Sequence, residues 1–142
     1  MNAGRLTTKV VVAVGVVANA ALVGGAALPW HHSGARQRNA FALARVADDL
    51  GLVDTGPRRA LLVAVYLLPL LAAFTLLAAT LDRRRVTGLF TAFAGVVGLT
   101  SAAVDLNLSG SRLVGPAVTI AAGLVAMGCG ARLVYKGDQR RE

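Results

Sequence analysis

The chain has 142 residues, of which 56% are hydrophobic and 15% charged, against roughly 25% charged in an ordinary soluble domain. A core of this size cannot hide so much apolar surface from water, which excludes a water-soluble lobe and points to one membrane domain over residues 1–142. The formal net charge of +8 does not mark a nucleic-acid binder. Its basic residues end apolar runs, as in Arg83-Arg84-Arg85 and Arg140-Arg141, where topology signals and anionic headgroup contacts belong. No surface interleaving aromatic and basic residues accompanies them.

The first apolar run, Val10 to Leu28, is long enough to cross about 30 Å of hydrocarbon. Arg5 and Lys9 precede it, and Gly25 and Ala27 imitate the small residues of a signal cleavage site. Its apolar stretch exceeds the 7 to 15 residues of a signal core, so an uncleaved span is expected. Asn19 is the most polar side chain deep within it. An amide in hydrocarbon seeks a partner on a neighbouring helix, which assigns Asn19 to helix packing.

The segment 29–59 is the one sizeable extramembrane piece. Trp30 reads as an interfacial tryptophan or as an anchor for a partner. His31 and His32 are the chain's two histidines, too few for the three or four convergent ligands of a zinc site. Ala40, Leu43, Val46, Ala47 and Leu50 recur at helical spacing, with Arg38, Arg45, Asp48 and Asp49 largely off that stripe. A short amphipathic helix near 36–50, lying along the outer membrane surface, is predicted, with Gly51 as its stop. Asp48-Asp49 makes no catalytic dyad, because paired catalytic carboxylates need a shielded pocket. Asp54-Thr55-Gly56-Pro57 reads as a turn into the second span.

The second run extends from Ala60 to Leu81, with Pro69 midway removing a backbone hydrogen bond and predicting a kink. The third, Val86 to Val104, follows a tight turn at Asp82–Arg85; the fourth is Leu113 to Val134. Ala94, Gly98 and Ala102 in the third, and Gly115, Thr119 and Gly123 in the fourth, fall four apart and predict close packing of these two helices. Asp105, Ser109, Ser111 and Arg112 read as a polar outer turn. The lone Cys129 excludes an internal disulfide and a cysteine metal cluster, and packs as a small hydrophobe.

With both termini cytoplasmic, the inner side carries Arg5, Lys9, Arg83, Arg84, Arg85, Arg132, Lys136, Arg140 and Arg141. The outer side carries Arg36, Arg38, Arg45, Arg58, Arg59 and Arg112, so the positive-inside rule favours this orientation in a cell membrane. Continuous apolar runs without alternation exclude barrel strands, so the fold class is all-α: an integral membrane four-helix bundle with a short amphipathic outer helix between the first two spans.

Ionisable groups within the membrane mark proton-coupled transport and ion pathways. Here the first three runs hold none, and the fourth holds only Arg132 near its end. Small four-helix multidrug exporters need a membrane-buried glutamate, whereas the only glutamate here is Glu142. Claudin-like four-span proteins carry a cysteine pair in the first loop, which is missing. Asn19, Thr75, Thr100 and Ser101 are the thin material for a polar path shared between subunits.

The stretch from Pro29-Trp30-His31-His32-Ser33-Gly34-Ala35-Arg36-Gln37-Arg38-Asn39-Ala40-Phe41 through Leu43-Ala44-Arg45-Val46-Ala47-Asp48-Asp49-Leu50-Gly51-Leu52 resembles small four-span membrane proteins of actinobacteria. These are not tied to a defined reaction. Some small actinobacterial membrane proteins accompany envelope machines, including the Mce lipid importers. The resemblance therefore implies a non-catalytic accessory subunit of a larger envelope complex, with lipid transport as the associated process. Trp30, Arg36, Arg38, Phe41 and Arg45 would form its outer contact surface. The expected partners are membrane lipids and a larger membrane complex, with no nucleic acid, metal or cofactor. An oligomeric solute transporter or channel, and a lipid-binding or sensing protein, are the rival readings.

Overall fold

A computed structural model describes residues 3–33, 36–49, 56–109 and 114–138. Four long helices dominate it: α1 (Ala3–Ala27), α3 (Gly56–Thr80), α4 (Arg84–Ser109) and α5 (Val114–Asp138). At 25 or 26 residues each, they run about 38 Å, enough to cross a bilayer. Between α1 and α3 lie two short strands, β1 (Pro29–Ser33) and β2 (Arg36–Asn39), and a helix α2 (Ala40–Asp49). The chain is an all-α four-helix bundle whose long helices are all apolar enough to span a membrane.

The helices form a four-cornered array. α1 and α4 each pack against both α3 and α5, and they touch each other across the middle. The side chains sort as lipid demands. Val17, Leu81, Leu89, Phe93 and Leu124 are exposed on the outside, while Asn19, Thr75, Thr87, Thr91, Ser101 and Thr119 are buried. In water that arrangement would waste apolar surface; in hydrocarbon the solvent is as apolar as leucine. Association then depends on close packing and on hydrogen bonds satisfied inside the bundle.

Close packing is achieved by glycine. An added Cβ at Gly130 would fall 2.6 Å from both Ala92 N and the Gly88 carbonyl oxygen, and one at Gly95 would fall 2.7 Å from the Gly123 carbonyl oxygen. Backbone thus meets backbone along α4 and α5. Gly98 receives the Leu22 side chain of α1, and Gly15 of α1 lies against Thr91 and Cys129. Buried Thr91 and Thr119 return their hydroxyls to their own helix, to the Thr87 carbonyl at 2.7 Å and the Gly115 carbonyl at 2.9 Å.

The turn from α3 to α4 is closed by its backbone. Arg83 N–H bonds the Ala78 carbonyl at 2.9 Å and Asp82 N–H the Ala79 carbonyl at 3.2 Å, the paired bonds of a Schellman ending. Asp82 takes the left-handed position, φ 50°, where glycine is usual. The Arg83 carbonyl then accepts the Thr87 N–H and starts α4. Pro69 lies inside α3, which continues on both sides of it.

Candidate functional site

The structure corrects the predicted outer helix at its start. Residues 36–39 form β2, paired antiparallel with β1, and α2 begins only at Ala40. The register explains a second departure. Pro29 faces Asn39 and His31 faces Arg38, so Trp30 is an extra residue with no opposite number. Such a bulge bends its strand and re-aims a side chain. Trp30 accordingly turns onto the bundle, where it is 4% exposed. Its indole Nε1–H donates to the Gly25 carbonyl at 2.7 Å. The ring also lies so tightly against Gly115 of α5 that no β-carbon fits there. Trp30 therefore joins α1, the hairpin and α5, and has little surface left for a partner.

Asn39 ends the hairpin and opens α2. Its Oδ1 accepts the Ala42 N–H at 2.8 Å, the third-position bond of an N-cap. Ala40 is buried, and Phe41 and Leu43 pack against the bundle's core. Phe41 meets Tyr66 of α3 with ring centroids 6.1 Å apart and planes inclined at 46°. The apolar stripe of α2 is thus spent at least partly on the protein itself, where the sequence had suggested a helix laid on lipid. Of the proposed contact residues, Arg45 is exposed and Arg38 half-buried, while Phe41 leans inward. The side chains of Arg36, His31, His32 and Asp48 lie outside the described residues.

In the interior, Asn19, Ala94, Gly98, Ala102, Gly115, Thr119 and Gly123 are all buried. The backbone contact of α4 with α5 uses Gly123 from this set, against Gly95, together with Gly88 against Gly130. These fall seven apart on each helix, a spacing that four-residue reading passes over. Asn19 Nδ2 donates to the Gly15 carbonyl at 2.9 Å on its own helix, so the bond is local and not to a neighbour. Its Oδ1 and the Thr75 hydroxyl are buried, with no hydrogen-bond partner among the described residues. Ser101 donates to the Val97 carbonyl at 2.8 Å, and Thr100 faces outward with its hydroxyl on the Val96 carbonyl. The four residues considered for a polar path therefore do not share one interior face.

Asp105 and Ser109 fall within the last turns of α4, which runs on to Ser109, and not in a turn; Ser111 and Arg112 lie outside the described residues. Cys129 is half-buried near Gly15. Among the described residues, no three His, Cys, Asp or Glu side chains are grouped as a metal site would need. No known protein family, curated protein or solved structure matches the chain.

Proposed function

We propose that the chain is a non-catalytic accessory subunit of a larger cell-envelope membrane complex, one that handles lipid. In this reading it sits in the cell membrane with both termini cytoplasmic and docks through the hairpin and α2. The observation that supports this is the way the hairpin is fixed. A bulge, the Trp30–Gly25 hydrogen bond and the Gly115 contact hold a loop bearing Arg36 and Arg38 against the bundle end. The Asn39 cap sets α2 and its exposed Arg45 beside that loop. An anchored, arginine-bearing surface outside the membrane suits recognition, because little conformational entropy is lost when a partner binds it.

Affinity isolation of the chain from native membranes in mild detergent, followed by mass spectrometry, tests this reading. A companion membrane protein should be recovered at near-constant ratio, and Arg36→Ala with Arg38→Ala and Arg45→Ala should reduce its recovery. Recovery of the chain alone would remove the proposal.

One observation favours a second reading, an oligomeric transporter or channel. Asn19 Oδ1 and the Thr75 hydroxyl are buried polar groups with no partner among the described residues, and in membrane proteins such groups gather along solute paths. Solute movement in vesicles holding only this chain would establish that reading against the first.

A further inference from the structure

We propose that the end of the bundle opposite the hairpin is a binding surface for anionic phospholipid headgroups. This stands apart from the partner reading, since it uses the other end of the molecule. The helix contacts fix the depth of each residue there. Gly15 of α1 lies in one layer with Thr91 of α4 and Cys129 of α5. Six residues outward from that layer, about 9 Å, brings α1 to Lys9, α4 to Arg85 and α5 to Tyr135. Lys136 follows at once, and Arg132 lies one turn closer to the bundle centre. Three helices thus deliver basic side chains to one depth.

The α3–α4 turn completes the band. Its left-handed Asp82 and the Arg83–Ala78 bond make the reversal tight enough to keep Arg83, Arg84 and Arg85 in this layer. Asp82 in the turn is drawn to Arg84 Nε at 3.2 Å. Lys9, Arg83, Arg132 and Lys136 are exposed. The exposed Tyr135 ring marks the depth as interfacial, where tyrosine sets its apolar body in hydrocarbon and its hydroxyl among headgroups. A ring of cations at headgroup depth around an apolar bundle fits lipid phosphate in one leaflet. Near an anionic surface each Lys or Arg strengthens association by roughly fivefold.

The test is native mass spectrometry of the full chain in mild detergent, incubated with an equal mixture of phosphatidylglycerol and phosphatidylcholine. The bound lipid should be enriched in phosphatidylglycerol. Neutralising exposed positions in K9Q/R83Q/K136Q should cut that enrichment roughly tenfold or more, while R38Q/R45Q at the hairpin end leaves it unchanged. If the triple variant does not fold, the single variants K9Q and R83Q carry the comparison, each with a severalfold loss. Equal binding of the two lipids by the native chain would overturn the proposal, as would an equal loss in R38Q/R45Q. Displacement of the bound lipid by inorganic phosphate would overturn it too, by marking a soluble-phosphate site.

Discussion

The indole N–H of Trp30 donates to the carbonyl oxygen of Gly25 at 2.7 Å, so the loop leaving α1 is tied back to the helix it has just left. The same carbonyl also takes the Leu28 N–H at 3.3 Å. Removing the indole donor therefore strips its shortest bond but does not orphan it. Trp30→Phe should destabilise the bundle by about 1 kcal/mol, the net worth of one hydrogen bond. Trp30→Ala also empties the space against Gly115 and should lose about 3–5 kcal/mol. SDS titration of the purified chain reads both. No loss in Trp30→Phe would show that the hydrogen bond contributes nothing, and equal losses in the two variants would show that the packing against Gly115 contributes nothing.

Two glycines of α5, two residues apart, make opposite predictions. Gly130 meets the backbone of Gly88 and Ala92, so the β-carbon of Gly130→Ala must push α4 and α5 apart. A loss of about 1–3 kcal/mol is expected. Gly128 has nothing within 4 Å of an added β-carbon. Gly128→Ala should be neutral, or gain up to about 1 kcal/mol from the lower entropy of the unfolded chain. The same SDS titration compares them, and a similar loss at both would mean that α4 and α5 are not in backbone contact.

The contrast shows what was legible in the sequence. The spans could be read because hydrocarbon forces long apolar runs, and nothing local competes with that demand. The α4–α5 seam was harder. Ala94, Gly98 and Ala102 lie four apart and are buried, yet Gly98 faces Leu22 and Thr119, and the backbone contacts belong to Gly88 and Gly95. Seven-residue spacing keeps one face toward a neighbour crossing at a shallow angle, whereas four-residue steps drift around the helix. The hairpin was illegible for a different reason. His31-His32-Ser33 and Arg36-Gln37-Arg38 carry no apolar alternation, so the pairing has no period-two signature. The bulge that buries Trp30 exists only once Pro29 meets Asn39. By contrast, Asn39 before Ala40-Phe41 is a local capping signal, and it marks the start of α2 at Ala40.

Asn19 offers a measure of how much the interior depends on polar bonds. Its Nδ2 donates to the Gly15 carbonyl, which already serves the helix of α1, and its Oδ1 is buried with no partner among the described residues. Side-chain hydrogen bonds in membrane proteins average about 0.6 kcal/mol. Replacing a half-satisfied amide by an apolar group of similar size should therefore leave Asn19→Leu within about 1 kcal/mol of the native chain. A loss of several kcal/mol in the unfolding titration would show that the Asn19 carbonyl oxygen is hydrogen-bonded inside the bundle, which would remove the observation that favours the transport reading.

The Asn39 cap links local structure to the proposed docking surface. Asn39 Oδ1 holds the Ala42 N–H at 2.8 Å, and a capping side chain of this kind contributes about 0.5–2 kcal/mol. α2 has only ten residues, too few to persist without a cap and its contacts to the bundle. Asn39→Ala should therefore loosen α2 locally while leaving the four long helices intact. Hydrogen exchange should quicken within 40–49 and stay unchanged in α4 and α5. If α2 presents Arg45 to a partner, recovery of the companion protein should fall in step with that local loosening, even though Arg45 itself is untouched. Faster exchange in α2 with undiminished recovery would place the contact elsewhere, on the hairpin or on the lipid-facing helices.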